Sequence, residues 1–178
     1  SAEIEELAAS VDDCGGVVFV PALAGLGAPH WDPDARGLIS GLTRGSTAAH
    51  IARAALEGIA FQISDILSAM RTDLQQQDTG AGNDLLKLKV DGGASNNNLL
   101  MQFQADLLRC EVSRPSITST TALGAALQAG LTMDIFKSTD QIRETWREER
   151  RFSPTMEEAD AAGYQARWEA AVRQARTS

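Results

Sequence analysis

Apolar residues recur along the chain with different spacings, and these spacings predict strands, helices and loops. From Ser46 to about Leu74 apolar side chains return every three or four residues, which predicts one long amphipathic helix capped by Ser46 or Thr47. The compact apolar run 17–20, ended by Pro21, predicts a strand, and the stretch 85–93 predicts another that ends at Gly92-Gly93. Between the first strand and the long helix, residues 22–45 are rich in glycine and proline, which predicts a long loop.

The remaining segments complete an alternating pattern. A short amphipathic helix with Ile4 and Leu7 on one face begins the chain, and a helix is predicted over residues 96–109. Residues 110–113 predict a brief strand stopped by Pro115, residues 121–130 a helix of small side chains, and the remainder from Ser138 two more helices. Ala161, Tyr164, Trp168 and Val172 form one stripe of the last helix. The sum is an α/β fold in which helices separate three short strands.

Composition and charge narrow the classes of function. The chain has 178 residues, 43% of them hydrophobic, which suits one soluble domain with a real core. No apolar run is long enough to span a bilayer, and the acidic start lacks the features of a signal peptide. The net charge of −8 argues against nucleic acid, and we expect the mixed charges of residues 147–151 to form a solvated helix end.

Cysteine and histidine usage points away from a metal centre. Cys14 and Cys110 are far apart; a disulfide is possible, but reduced thiols of a cytosolic protein are favoured. His30 and His50 belong to no Cys/His spacing pattern, so no metal site is predicted. His50 itself is expected to be a surface or capping residue.

The strand–Gly-Gly–helix unit is the most informative local feature. Gly92 and Gly93 would let a phosphate approach the backbone, and the helix that follows would direct free N–H groups at it. Asn97, placed in the first turn, offers an amide that can donate and accept hydrogen bonds. On these residues alone a simple tight turn is the favoured explanation. The chain has no Walker loop and no G-x-G-x-x-G pattern, so P-loop and Rossmann sites are excluded.

Two other segments carry candidate chemistry. The small face of the helix 121–130 would admit a flat adenine or another backbone, although tight helix–sheet packing is favoured for such a helix. The long loop carries a dense polar set in which an Asp or His would suit general-base chemistry, but turn formation and internal salt bridges are favoured. That set comprises His30, Trp31, Asp32, Asp34 and Arg36.

Taken in order, these segments resemble consecutive blocks of the FGGY carbohydrate kinases, from about Gly15 to the end of the chain. The blocks are the loop PALAGLGAPHWDPDARGLISGLTRG, the helix HIARAALEGIAFQISDIL, the unit VDGGASNNNLLMQFQADLL and the helix TALGAALQAG. Gly37-x-Ile39-x-Gly41-Leu42, followed by His50-Ile51 and Ala54-Ala55-Leu56-Glu57, resembles the signature of the wider family. The segment GLGAPHWDPDARG is similar to the branch that phosphorylates glycerol.

The resemblance implies a ribonuclease H-like fold of the actin/hexokinase type, of which this chain is expected to be a C-terminal portion without its first strands. It implies contacts of Gly93 with the α-phosphate of ATP and of Asn97 with the adenosine, with Gly92 beside them. It also implies transfer of the γ-phosphoryl group to glycerol, with Mg²⁺ held mainly through the nucleotide. The catalytic base and most glycerol contacts are expected upstream, so Asp32, Asp34 and Asp91 are assigned no catalytic role.

Further expectations follow from the same resemblance. Residues 1–137 are expected to form part of the nucleotide-binding domain, and residues 138–178 a helical extension packed on it. We expect a cytoplasmic protein that is inactive in isolation and associates with itself through exposed core surface. Alternatives are a piece of a related sugar kinase, such as one acting on xylulose, or a non-catalytic actin-like nucleotide-binding module.

Overall fold

The fold comes from a computed structural model and is described for residues 2–76 and 87–176. The helices are α1 Ala2–Ala9, α2 Ala48–Gln76, α3 Asn98–Leu108, α4 Thr120–Thr132, α5 Thr139–Thr145 and α6 Glu158–Ala175. The strands are β1 Val18–Val20, β2 Leu38–Ser40, β3 Lys87–Lys89, β4 Glu111–Pro115 and β5 Glu148–Phe152, and Gly93–Asn96 form a 3₁₀ turn before α3. Residues 77–86, which include the predicted strand residues Leu85 and Leu86, lie outside the described residues.

The strands form two small sheets. β1 pairs with β2 in antiparallel fashion, so the predicted loop 22–45 contains a short strand that its glycine-rich sequence did not indicate. β3 pairs with β4 in parallel, with Leu88 opposite Val112, and α3 makes the crossover between them. β4 also pairs with β5 in antiparallel fashion, with Val112 opposite Phe152.

The prediction of a solvated helix end at residues 147–151 is wrong, because most of this run belongs to strand β5. Its charged side chains find partners on the neighbouring strands rather than only in water. Glu148 accepts a hydrogen bond from Lys87 Nζ at 2.7 Å and another from the Ser113 hydroxyl, and Arg151 lies 3.2 Å from the carboxylate of Glu111. These bonds hold the pKa of Glu148 at about 2, chiefly through Lys87 and then Ser113.

The core lies between α2, α3 and α6. Phe61 of α2 stacks on Trp168 of α6 with ring centroids 5.0 Å apart and meets Phe103 of α3 edge-on at 5.5 Å. Trp168 is fully buried, and the predicted stripe of α6 faces this core, with Tyr164 half-buried beside it. The indole N–H of Trp168 donates to Asp65 at 2.8 Å, which satisfies the one polar atom of the buried ring.

The start of α2 confirms the capping role that was one of the two expected for His50. The backbone N–H and the hydroxyl of Thr47 both hydrogen-bond to Nδ1 of His50, at 3.1 and 2.8 Å. The His50 side chain, three residues on from Thr47, thus accepts the N–H of the residue before the helix, which is one half of a capping box. The predicted apolar stripe is only partly buried, since Ile59, Met70 and Leu74 are all more than a third exposed.

Helix α4 is mostly exposed. Of its small residues only Gly130 is buried, where an added Cβ would lie 2.9 Å from the ring of Phe136. The favoured expectation of tight helix–sheet packing is therefore wrong for most of this helix, because Ala122, Gly124, Ala125, Ala126 and Ala129 face outward. On its other side, Leu123 and Leu127 line an apolar groove of about 510 Å³ shared with α5.

Candidate nucleotide site

A polar crevice lies where β3 and β4 end. Since the two strands run in parallel, their carboxyl ends meet at one edge of the sheet, which is where α/β proteins commonly place ligands. The crevice has a volume of about 340 Å³ and is lined by Asp91, Gly92, Gly93 and residues 118–121. The Gly92 N–H donates to the carbonyl of Thr118 at 2.8 Å, and the Thr120 hydroxyl donates to the Asp91 carboxylate. These two bonds tie the walls of the crevice together.

The two glycines differ in what they contribute. Gly92 has φ +78°, a left-handed conformation that favours glycine, so its conformation alone explains the residue. Gly93 has no positive φ, and a Cβ built on it would meet nothing within 4 Å. At Gly93 the missing side chain therefore leaves open space at the lining of the crevice.

Asn97 precedes α3 and caps it, so it does not lie in the first turn, where the sequence pattern placed it. Its Oδ1 accepts the Leu100 N–H at 2.9 Å, and the side chain is buried, with 6% of its surface exposed. Its Nδ2 is also buried and has no hydrogen-bond partner. The amide nitrogen of Asn97 can only donate, and it has no acceptor. The amide oxygen, in contrast, already accepts the Leu100 N–H.

The expectation that free N–H groups of α3 point at a phosphate is wrong. The carboxylate of Glu5, from α1, accepts the N–H groups of Asn98 and Leu99 at 2.9 and 3.4 Å. Asn97 takes the next N–H and its carbonyl takes that of Met101, so the first turn is satisfied within the protein. No sequence pattern indicated Glu5, because it is 93 residues from its partner.

The start of α4 is less enclosed than that of α3. Ser119 occupies the capping position, but its side chain makes no capping hydrogen bond. Thr120 and Thr121 follow it in the lining of the crevice. Backbone N–H groups at such an uncapped helix start suit an anion. The start of α4, rather than that of α3, therefore suits the phosphate contact that was predicted for a helix start.

The polar set of the long loop builds the loop itself. Asp32 is buried and its Oδ1 accepts the N–H groups of Asp34 and Ala35, both at 3.0 Å. The Arg36 guanidinium donates to the carbonyls of Pro33 and Ala35. The expected turn-forming role is thereby confirmed for Asp32 and Arg36.

His30 and Trp31 take different positions in the same loop. His30 Nε2 lies 3.0 Å from the Asp65 carboxylate, and this contact ties the loop to α2. Trp31 projects outward with 76% of its surface exposed.

A second polar cluster was not predicted at all. Glu57, with 4% of its surface exposed, accepts a bond from Arg53 Nε at 3.2 Å and another from the thiol of Cys14. Burial raises the pKa of Glu57, while Cys14 and Arg53 oppose that shift. Burial, and then the Glu57 carboxylate, raise the pKa of Cys14 to about 11. The cluster joins the turn before β1 to α2. Its only signal in the sequence was the spacing of Arg53 and Glu57, which are one helical turn apart.

Other kinds of site find no support in the described part of the chain. Within residues 2–76 and 87–176, no three His, Cys, Asp or Glu side chains gather in a way that would hold a metal ion. No helix in those ranges combines the length and apolarity needed to cross a membrane. Cys14 and Cys110 are both buried and free.

Comparison with known proteins identifies the class. Residues 1–133 match the FGGY family of carbohydrate kinases, C-terminal domain, and the chain belongs to this family. It is 57% identical over 175 residues to the glycerol kinase of Variovorax paradoxus, covering 98% of this chain and 35% of that enzyme. It is 59% identical over 174 residues to that of Polaromonas naphthalenivorans, covering 98% and 34%. The chain thus spans about a third of the length of the curated relatives it matches.

Solved structures agree with the predicted fold. The crystal structure of Plasmodium falciparum glycerol kinase with ADP superposes with a TM-score of 0.85 at 32% identity, covering 99% of this chain and 34% of that one. Gluconate kinase from Lactobacillus acidophilus shares the fold, with a TM-score of 0.74 at 22% identity, covering 97% and 33%. The prediction of an actin/hexokinase-type ATPase fold is confirmed.

Proposed function

We propose that this chain is part of a glycerol kinase, which transfers the γ-phosphoryl group of ATP to glycerol to give glycerol 3-phosphate. The observation that carries the proposal is the identity of 57% and 59% to named glycerol kinases along 98% of the chain. Because the chain spans about a third of those enzymes, it supplies part of the ATP site and is inactive alone. The xylulose kinases among the structural neighbours are at most 24% identical and support the fold only.

The nucleotide-binding residues in this proposal are Gly92, Gly93 and Asn97. The backbone at Gly93 approaches the α-phosphate, since open space lies where its side chain would be. Asn97 is the proposed contact of the adenosine, and its buried Nδ2 is a donor without a hydrogen-bond partner in the protein. The Plasmodium falciparum glycerol kinase was crystallised with ADP, which supports a nucleotide as the ligand of this fold.

The proposed role of this chain is to position the nucleotide, not to transfer a proton. Phosphoryl transfer depends mainly on alignment and on neutralising charge. Asp32 is engaged with the backbone of its own turn and Asp91 accepts the Thr120 hydroxyl, so neither is proposed as the base. The described residues also form no metal-binding set, so Mg²⁺ is assigned to the nucleotide phosphates, and no step of this chain depends on it.

Three broader proposals accompany this function. Residues 1–137 form the nucleotide-binding part and residues 138–178 an extension of it. The chain associates with itself through exposed core surface, which light scattering during size-exclusion chromatography would test. A metabolic kinase of this kind works in the cytoplasm, and the two buried free cysteines suit a reducing compartment.

A chimera tests the proposed activity. This chain replaces its 57% identical counterpart in the Variovorax paradoxus glycerol kinase, and phosphorylation is measured with glycerol, xylulose and gluconate. ATP-dependent phosphorylation of glycerol above both sugar substrates is expected. Because the host enzyme supplies most glycerol contacts, the decisive readout is the rate with glycerol: a soluble, folded chimera without ATP-dependent glycerol phosphorylation would exclude the proposal.

A paired substitution tests the site itself. Gly93→Val fills the open space at the crevice, whereas Gly27→Val adds the same side chain where a Cβ also meets nothing within 4 Å, away from the crevice lining. ADP binding measured by calorimetry should be lost only in Gly93→Val. Equal binding by the two variants would remove Gly93 from the site.

A further inference from the structure

The sheet formed by β3, β4 and β5 is packed on one face and open on the other. Leu88 of β3 and Val112 of β4 lie opposite each other, and both pack in the core. Because side chains alternate along a strand, Lys89 extends from the other face. Lys89 lines the groove of about 510 Å³ on the side of the sheet, and Leu123 and Leu127 of α4 line it on the side of the helix. The groove therefore lies between the sheet and a helix that does not close over it.

The lining of this groove is typical of a protein interior. It includes the aromatic rings of Phe136 and Trp146 and the aliphatic side chains of Ile117, Leu123, Leu127 and Ile142. Ile117 nevertheless has 51% of its surface exposed. Parallel strands are ordinarily covered on both faces of their sheet, and contiguous exposed apolar surface commonly marks an interaction site. The groove thus has the character of a surface that packs against another part of a protein.

The outer edge of β3 adjoins this groove and is open. Within residues 2–76 and 87–176, β3 pairs with β4 alone. The Val90 N–H donates to the carbonyl of Ser113 on the β4 side, at 3.1 Å. Alternate residues of a strand direct their N–H groups to opposite sides, so the N–H of Lys89 points to the open edge. An edge with unpaired backbone groups is a template for a further strand.

We propose that the open edge of β3 and the groove beneath α4 form one docking surface for a β-strand from the part of the glycerol kinase that lies outside this chain. The backbone of that strand pairs with β3, and its apolar side chains fill the groove. About two thirds of each glycerol kinase that the chain matches has no counterpart in it, which makes that part of the enzyme the partner with the most polypeptide to offer. The inference rests on the proposed function, because it takes the partner to be the remainder of a glycerol kinase.

Thiol labelling in two molecules tests the groove. The molecules are this chain alone and its chimera with the Variovorax paradoxus enzyme, whose own cysteines are replaced by serine. Cys14 and Cys110 are buried, so an introduced surface thiol is the group that a maleimide labels. Ile117→Cys places that thiol in the groove, and Ala166→Cys places the control thiol on an exposed position of α6 outside its lining. Labelling is followed by mass spectrometry without nucleotide, with Leu127→Cys as a second reporter if circular dichroism shows Ile117→Cys unfolded.

The thiol at position 117 should be labelled in the isolated chain and protected in the chimera, whereas the thiol at position 166 should be labelled in both. Hydrogen exchange of a peptide that spans β3 should also be slower in the chimera, because pairing protects the edge amides. Equal labelling of position 117 in the two molecules would overturn the inference. Protection without slower exchange in β3 would show that the occupant is not a strand, and it would overturn the inference as well.

Two further results separate the competing explanations. If position 117 becomes protected in the isolated chain as its concentration rises but stays labelled in the chimera, a second copy is the occupant and the inference is wrong. The glycerol assay distinguishes this inference from the proposed function. An active chimera with an accessible thiol at position 117 overturns the docking surface alone, whereas a folded chimera that does not phosphorylate glycerol overturns the proposed function and the inference with it.

Discussion

Asn97 combines a structural and a binding contribution that two substitutions can separate. Its Oδ1 caps α3 through the Leu100 N–H, and its buried Nδ2 is the donor proposed to contact the nucleotide. Asn97→Ala removes both groups. Asn97→Ser keeps an oxygen that can cap the helix but has no amide donor, and it nearly matches alanine in volume. The difference between the two variants therefore isolates the cap.

The structure sets the expected size of the structural loss. Replacing a capping residue by alanine typically costs about 1 kcal/mol, and the upper end of the range is about 2 kcal/mol. The Leu100 N–H is buried, so leaving it unpaired places this site toward that upper end. We expect Asn97→Ala to lower the free energy of unfolding by about 1–2 kcal/mol, and Asn97→Ser to lie within about 0.5 kcal/mol of the wild type. Aspartate is a poor test residue, because the Glu5 carboxylate already occupies this helix end.

Urea unfolding followed by circular dichroism measures the first effect, and calorimetry with ADP measures the second. Both variants should bind ADP about three- to tenfold more weakly, because both lack the donor. A serine variant as unstable as the alanine variant would show that the side-chain oxygen is not the cap. A serine variant that binds ADP like the wild type would show that Nδ2 makes no contact with the nucleotide.

Two further predictions concern the core and the buried carboxyl. Trp168→Ala should lower the free energy of unfolding, measured in urea, by about 3–5 kcal/mol, because it removes a fully buried ring stacked on Phe61. A loss below about 1 kcal/mol would show that α6 is not part of the core. The raised pKa of Glu57 means that its contribution to stability is present at low pH and is lost as the pH rises above the usual glutamate range of about 4.3. Glu57→Gln should abolish that decline in a series of urea titrations at different pH values; an unchanged pH profile would show that Glu57 is not its source.

Long periodic segments were predictable because their own sequence determines which face is buried. α2 and α6 were both predicted, and the stripe that includes Trp168 faces the core. β5 was missed because charged side chains normally indicate a solvated helix. Here Glu148 and Arg151 pair with residues of β3 and β4, and nothing in the local run indicates those partners.

In the candidate site too, the predictable features are those whose causes are local in sequence. The Gly92-Gly93 turn was predictable because both its cause, a left-handed backbone, and its consequence, an open surface, are local to those residues. Neither Glu5 nor the opposite wall at residues 118–121 was predictable, because each reaches the turn through tertiary structure. The expectation for α3 failed for the same reason: a rule about helix starts holds only where no distant side chain already occupies them.

The register of the β3–β4 pair is what joins the two walls of the crevice. With Leu88 opposite Val112, the chain leaves both strands at one edge, and the Gly92 N–H meets the carbonyl of Thr118. A slip of one residue would turn the side chains of β3 to the other face of the sheet and displace Gly92 from this bond. Val112 is completely buried and Leu88 packs against the same core, so burial on that face opposes the slip. The geometry proposed to receive a nucleotide is therefore specified by apolar packing beneath it as much as by the glycines that line it.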